Sequence, residues 1–321
     1  MRLPVLLTLA VLGLAGSAGA HAEGNYPDHA VRVVVPFAPG GSLDMLARAL
    51  GRSLSDRLGQ QFVVDNRSGA GGNLGHDAVA KAKPDGYTLL VTSEPLTINP
   101  ALFGTLPYDP ARDLAPIMLA ASLAQVVIVH PGSTVRTLAD WLEAARTRAQ
   151  PMQFASAGLG SPGHLAGELL KAMVGANLVH VPYRGGGPAV ADVAAAQIEC
   201  GIMTLPAALG FIQAGTVRAL AVTARTRAGA LPQTPTIGEV VPGYFVDSWQ
   251  AVFAPAGTPP DVIARLNREL AAVLAEPSVR ELLEKQGFDI VAGSPDALGT
   301  LVTAELAKWG RFIKEAGIKV E

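Results

Sequence analysis

The fold is decided by one stretch, VRVVVPFAPGGSLD at residues 31–44. The run at 31–37 predicts a buried strand, and the apolar residues from Leu43 to Leu54 recur at helical spacing and predict a helix from 43 to about 58. A strand that passes through a glycine turn into a helix is the opening of a βα unit. This stretch therefore predicts an α/β protein with a glycine turn at the carboxyl edge of its sheet.

The same alternation continues along the chain. Strands predicted at 62–65 and 87–92, with a helix at 77–83, complete a βαβαβ unit and hence a parallel sheet. A second series has strands at 125–129, 152–155, 178–182, 198–203 and 217–222 and helices at 138–148, 162–174 and 187–196. A strand at 251–255 and helices at 259–274, 278–286 and 295–317 complete the chain. The pattern predicts two hinged, doubly wound α/β lobes.

The order of these elements predicts how the chain is divided. We expect residues 1–22 to form a signal peptide, 23–123 the first part of domain 1, 124–232 domain 2, and 233–321 the second part of domain 1. The C-terminal helices would then pack back onto the first lobe. The chain would cross between lobes near 115–125 and again near 225–250, which makes a hinge.

The first residues have the pattern of a targeting signal. Arg2 precedes an apolar run from Leu3 to Leu14, and either Ala18-Gly19-Ala20 or Ala20-His21-Ala22 supplies a cleavage site. The alternative is an uncleaved anchor, but the run is shorter than the roughly 20 residues that a spanning helix needs. We therefore expect a secreted protein.

Charge and cysteine content exclude several classes of function. Without Arg2 the chain has 24 basic and 27 acidic residues, a formal charge of −3, and no basic stripe for a nucleic acid. An anionic ligand must then be held by local donors. Cys200 is the only cysteine, so no intrachain disulfide forms, and we expect it to be a small buried residue.

The first glycine turn is a candidate anion site. Gly40 and Gly41 let backbone N–H groups approach a ligand, and Ser42 is suited to cap the following helix. Unpaired N–H groups at a helix N-terminus favour an anionic oxygen. A simple tight turn explains the same residues, and chemistry alone leaves both interpretations open. Asp44 would repel an anion, so we assign it to orienting the turn or to meeting an amino group.

The second lobe has a matching turn, FASAGLGSPGH at 154–164. Ser161 is a predicted N-cap with Pro162 at the first helical position. His164 can donate a proton to a ligand, although a structural role is favoured. The two turns provide the ligand-binding candidates Phe37, Ala38, Gly40, Gly41, Ser42, Asp44, Ser156, Ala157, Gly158, Gly160, Ser161 and His164.

Enzyme and cofactor motifs are sparse. Gly158, Gly160 and Gly163 fit the dinucleotide pattern G-x-G-x-x-G, but no acidic residue follows about 20 positions later to hold a ribose. The chain has no G-x-S-x-G, H-E-x-x-H, C-x-x-C or phosphate-loop motif, and its histidines lack metal-ligand spacing. We expect no cofactor, no metal and no enzymatic activity. A hydrolase built on Ser42 or Ser161 has no positive evidence.

Short motifs along the whole mature chain carry a family resemblance. They are Tyr26-Pro27, the stretch 33–42 with Asp44, Asn66-Arg67, GAGG at 69–72, PDGYT at 84–88, VPYRG at 181–185, LAVT at 220–223, Pro235-Thr236 and APAGTP at 254–259. In this order and spacing they resemble the substrate-binding receptors of tripartite tricarboxylate transporters, the Bug receptors.

The resemblance implies a fold, a location and a ligand. It implies a two-lobed periplasmic binding protein of type II that is monomeric, lies in the periplasm, holds a small mono-, di- or tricarboxylate and delivers it to a separate membrane permease. A sensor ectodomain is the alternative partner. Ser93, Arg184 and Thr204 are weaker lining candidates. The chain departs from the family at Ala196-Gln197, where Gly-Gln is usual, and in lacking an acidic residue near Thr204.

Overall fold

The computed structural model describes residues 26–316, so the predicted signal peptide lies outside the described residues. The strands are β1 (Val31–Val35), β2 (Phe62–Asn66), β3 (Thr88–Ser93), β4 (Leu114–Val129), β5 (Met152–Ser156), β6 (Leu178–Pro182), β7 (Cys200–Thr204), β8 (Arg218–Val222), β9 (Asp247–Pro255) and β10 (Asp289–Ile290). The helices are α1 (Ser42–Leu58), α2 (Asn73–Ala80), α3 (Pro95–Phe103), α4 (Leu138–Thr147), α5 (Pro162–Val174), α6 (Gly186–Ala194), α7 (Leu205–Gln213), α8 (Pro260–Ala275), α9 (Pro277–Lys285) and α10 (Pro295–Ala316).

The sheet of the first lobe has the strand order β2-β1-β3-β9-β4. β1 pairs in parallel with β2 and β3, which confirms the predicted βαβαβ unit. β9 is antiparallel to both of its neighbours. Apolar side chains from β1, β3 and β9 fill cores on both faces of this sheet, under α1 and α8 on one side and under α10 on the other.

The second lobe repeats the arrangement around β5. β5 is parallel to β6 and β7, β7 is antiparallel to β4, and β8 pairs with the other edge of β4. β4 is shared by the two lobes, because it pairs with β9 up to Ala124 and with β7 from Gln125 onward. The predicted strand at 125–129 is thus the second half of a 16-residue strand. The two-lobed, doubly wound fold is confirmed.

The segment in which the chain returns from the second lobe to the first lies beside β4. Val246 N–H donates to the Thr223 carbonyl at 2.9 Å, and Thr223 N–H donates to the Gln125 carbonyl at 2.9 Å. The first lobe therefore comprises residues 26–124 and 247–316, and the second 125–246. The sequence placed 233–246 in the first lobe, but Ile237, Val241 and Val246 pack in the second-lobe core.

The C-terminal helices pack against the first lobe, and α10 also reaches the second. Trp309 and Ile313 of α10 cluster with Ile98 and Leu102 of α3 and with Leu165 of α5. This apolar cluster joins the lobes on one flank of the hinge. Burial of apolar area there favours the lobe arrangement seen in the structure.

Gly163 offers a test of the close packing of α5 on the sheet. A Cβ at this position lies 2.0 Å from the Ile202 carbonyl oxygen, which is backbone and cannot move aside. We expect Gly163→Ala to lower the free energy of unfolding by about 1–3 kcal/mol, measured by urea denaturation. The control is Gly210→Ala in α7, where nothing lies within 4 Å. It should stabilise by about 0.5–1 kcal/mol, and equal stability of the two variants would contradict the packing argument.

Candidate interlobe anion site

Five helices begin at one cavity between the lobes. α1 and α3 come from the first lobe, and α5, α6 and α7 from the second. Each contributes its N-cap or first residue to the lining. The lining residues are Phe37, Ala38, Gly41, Ser42, Leu43, Asp44, Ser93, Pro95, Ala157, Ser161, Pro162, Gly186, Thr204 and Gln250.

The charge character of this cavity is set by the backbone. The lining set contains no lysine, arginine or histidine. The N-cap residues of α1, α3, α6 and α7 make no capping hydrogen bond through their side chains, so first-turn N–H groups of these helices stay available. Each N-terminus carries roughly half a positive charge. The cavity is therefore suited to an anionic oxygen.

Asp44 organises the first turn instead of facing a ligand unpaired. Its carboxylate accepts hydrogen bonds from Gly40 N–H at 3.1 Å, from Arg48 Nε at 2.9 Å and from Asn66 Nδ2 at 3.0 Å. Burial opposes ionisation, but these three donors hold the pKa of Asp44 below its usual range. Asn66 Nδ2 also donates to the Phe37 carbonyl, so the Asn66 amide connects the two ends of the turn.

Ser42 does not cap α1, as the sequence had suggested. Gly41 is the N-cap and Ser42 is the first helical residue. Its Oγ instead accepts a hydrogen bond from Gln250 Nε2 at 2.7 Å and one from Thr204 Oγ1 at 3.0 Å. Because Thr204 belongs to the second lobe, Ser42 is a polar link between the lobes.

The second turn is held by a buried network of hydroxyl groups. Ser161 caps α5 by accepting from His164 N–H, and Pro162 follows at the first helical position, as predicted. Ser156 Oγ accepts from Gly158 N–H at 3.1 Å and from Ser161 Oγ at 3.0 Å. The Ser156 hydroxyl donates to the Gly158 carbonyl at 3.0 Å, and His180 Nε2 lies within hydrogen-bond distance of the same oxygen, at 2.6 Å.

Two stacked histidines lie behind this turn. The rings of His164 and His180 are 4.1 Å apart, and Gly160 N–H donates to His164 Nδ1 at 3.2 Å. Burial is the main cause that lowers the pKa of His164 to about 4 and that of His180 to about 2. Both rings are neutral at pH 7 and add no positive charge to the cavity. His164 supports the loop in this structure.

The structure brings together most of the residues that the sequence singled out. Those that line the cavity are Phe37, Ala38, Gly41, Ser42, Asp44, Ser93, Ala157, Ser161 and Thr204. Gly40, Ser156, Gly158, Gly160 and His164 shape the turns without lining it. The Arg184 side chain is exposed and does not line the cavity, while its carbonyl accepts from Ala38 N–H. The lining residues that sequence reasoning missed are Leu43, Pro95, Pro162, Gly186 and Gln250.

The lobes are closed over this cavity. Ala38 N–H donates to the Arg184 carbonyl at 2.9 Å, and Thr204 donates to Ser42 at 3.0 Å, both across the cleft. The free space in the cavity is about 40 Å³. One water molecule needs roughly 10–15 Å³ of such space. A larger anion must therefore enter by separation of the lobes.

Gly160 tests this closed arrangement. Its φ is +71°, and a Cβ there would lie 2.5 Å from Asn99 Oδ1 of the first lobe. We expect Gly160→Ala to hold the lobes apart and to raise the radius of gyration measured by small-angle scattering. The control is Gly175→Ala, which has the same backbone strain (φ +66°) but no neighbour within 4 Å. Equal compactness of the two variants would show that Gly160 does not limit closure.

Glu94 is a buried acid at the start of α3. It is 1% exposed, and its Oε1 accepts from Trp249 N–H of β9. Its Oε2 is buried without a hydrogen-bond partner in the described chain. Burial raises the pKa of Glu94 to about 8, although the hydrogen bonds that it accepts oppose this shift. The folded protein therefore holds Glu94 in its neutral form at pH 7.

This shift predicts a pH dependence of stability. The unfolded state ionises Glu94 above its ordinary pKa of 4.5, whereas the folded state resists ionisation until pH 8. Relative to Glu94→Gln, the wild type should lose up to about 1.4 kcal/mol per pH unit between these values. Urea denaturation at pH 5, 6, 7 and 8 measures the difference. The exposed Glu281→Gln is the control, and a flat difference for Glu94→Gln would refute the buried neutral acid.

Membrane-spanning and metal-binding features are absent from the described part of the chain. Between residues 26 and 316 no helix has the length and apolar character needed to cross a bilayer. The same residues contain no group of three or more His, Cys, Asp or Glu side chains that could hold a metal ion. Cys200 is buried and unpaired, and burial raises the pKa of its thiol to about 12.

The two-lobed fold, with a cavity between the lobes, is that of a solute-binding receptor. The chain belongs to the tripartite tricarboxylate transporter receptor family, whose model matches residues 46–318. Members of this family are binding proteins, not enzymes. The resemblance seen in the sequence is thereby confirmed.

Relatives match along nearly the whole chain. A protein encoded in the tcbD-tcbE intergenic region of Pseudomonas sp. (strain P51) is 41% identical over 98% of this chain and 94% of its own length. Protein BugT of Bordetella pertussis is 37% identical over 98% of each chain.

Solved structures with ligands share the fold. A protein of R. palustris with adipate has a TM-score of 0.88 and 39% identity, over 92% of this chain and 99% of its own. MatC from Rhodopseudomonas palustris with bound malate has a TM-score of 0.84 and 30% identity, over 89% and 99% of the two chains.

Proposed function

We propose that this receptor is exported to the periplasm, captures a small carboxylate between its lobes and delivers it to a membrane permease. The observation that carries the proposal is the convergence of five helix N-termini on a cavity whose lining has no basic side chain. Such N-termini present N–H donors and positive dipole ends, which suit a carboxylate. Adipate and malate in the two related structures support the same ligand class.

The lining suggests how the ligand is held. The N-termini of α1 and α6 lie close together across the cleft, since a Cβ on Gly41 would lie 3.6 Å from Gly186 N. The hydroxyl groups of Ser93, Ser161 and Thr204 add neutral donors from both lobes. The ligand thus makes more contacts in the closed state than in the open one, which is what drives hinge closure.

A thermal-shift screen tests the ligand class. The purified mature protein is unfolded mildly and dialysed to remove bound ligand, then mixed with mono-, di- and tricarboxylates, sugars and nucleotides. A carboxylate at 100 times its Kd should add about 2.7 kcal/mol to stability. Stabilisation by a sugar or a nucleotide, with none by any carboxylate, would overturn the proposal.

Ser42→Ala tests the site with the ligand from that screen. Loss of a buried hydroxyl that links Gln250, Thr204 and the ligand should weaken binding about tenfold, as measured by calorimetry. Ser133→Ala, at a half-buried loop hydroxyl outside the cleft, is the control. Unchanged affinity of Ser42→Ala would remove this residue from the site.

Permease delivery has its own test. Cells that lack this receptor should lose uptake of the identified carboxylate at low external concentration, and the intact gene should restore it. Unchanged uptake, together with tight binding in vitro, would retain the receptor and refute the delivery step.

A further inference from the structure

Gln250 lines the cavity, and its neutral amide contacts Ser42, the residue that links the two lobes. It is on β9, directly opposite Ser93 of β3, and is 1% exposed. Both residues line the cavity. β9 enters the first-lobe sheet from the far end of the chain, so Gln250 meets Ser42 across 208 positions of sequence.

The hydrogen bonds around Gln250 leave two donors, the Ser42 hydroxyl and the second Nε2 hydrogen, and one acceptor, Gln250 Oε1, unused. Ser42 Oγ accepts from Gln250 Nε2 and from Thr204 Oγ1, so both of its acceptor sites are filled and its hydrogen remains to be donated. Gln250 Oε1 is buried and has no hydrogen-bond partner among residues 26–316. A buried acceptor without a partner carries a desolvation penalty that a suitable ligand relieves.

The Ser42 hydroxyl hydrogen and the Gln250 Oε1 acceptor together match a hydroxyl group of a ligand better than they match a second carboxylate. An ionised carboxylate has acceptors only, so it can use the Ser42 hydrogen but leaves Gln250 Oε1 unpaired. A hydroxyl accepts from one group and donates to the other. The helix N-termini around the cavity remain available for the carboxylate of the same molecule.

We infer that Gln250 is a specificity-determining residue that selects hydroxycarboxylates over carboxylates without a hydroxyl group. This inference rests on the proposed function, since it concerns a second group on the same ligand. The unsubstituted analogue forfeits the hydrogen bond and leaves the Gln250 acceptor buried, which predicts a preference of about 10- to 100-fold.

The test compares ligands that differ by one hydroxyl. Calorimetry measures the Kd of malate against succinate and of lactate against propionate, for the wild type and for Gln250→Met, which keeps the volume without the polar atoms. We expect the wild type to bind the hydroxylated member of at least one pair tenfold tighter or more. Gln250→Met should bring that ratio to within about twofold while it still binds the unsubstituted member.

Gln125→Met is the matched control. Gln125 is also 1% exposed and has a buried side-chain nitrogen without a partner, but it does not line the cavity. This variant should keep the hydroxyl preference, even where its stability or overall affinity changes.

The outcomes separate the inference from the proposed function. Equal binding within each pair by the wild type, or tighter binding of succinate and propionate, overturns the role of Gln250 and leaves the carboxylate receptor intact. Loss of the preference in Gln125→Met to the same extent as in Gln250→Met also overturns it. Absence of binding by these four acids and by every carboxylate of the thermal-shift screen refutes the proposed function itself.

Discussion

The proposed site must balance the charge of an anion without a basic side chain in its lining. Its lining has one titratable residue, Asp44, which is itself an acid and is neutralised by Arg48 and two further donors. The histidines behind the second turn are neutral at pH 7. Peptide dipoles are the remaining source of positive potential, and a dipole acts only within about the first turn of its helix. Five N-termini must therefore lie close to one point.

This constraint ties affinity to the arrangement of the lobes. Two of the helix N-termini belong to the first lobe and three to the second. When the lobes are apart, an anion is therefore exposed to only part of the positive potential of the five helices. The shared strand β4 and the return of the chain near Val246 connect the two halves. Small residues allow the two lobes to come close together. At Gly160, the closed lobes leave no room for a Cβ beside Asn99.

Both glycine turns could be predicted from the sequence, because the residues that form each turn are neighbours in the chain. Residues 31–44 and 154–164 each combine a strand, glycines and a helix start within a dozen positions. Gln250, which sequence reasoning missed, depends on a distant contact. Gln250 is brought to Ser42 by the pairing of β9 with β3, which no pattern around residue 250 records. The same contact explains why Ser42, a good N-cap by type, is used instead as a link between lobes. The helices α3 and α7 were missed because they begin directly after strands, with little turn signal between them.

A site made of neutral donors also explains how a tightly closed receptor can release an anion. A fixed arginine or lysine would keep attracting the ligand after the lobes part, whereas the dipole field weakens as soon as α5, α6 and α7 move away from α1 and α3. The chain's formal charge of −3 after removal of Arg2 adds no long-range attraction. In the proposed function, capture and release therefore depend on the same hinge motion, and the inferred role of Gln250 is to distinguish one carboxylate from another.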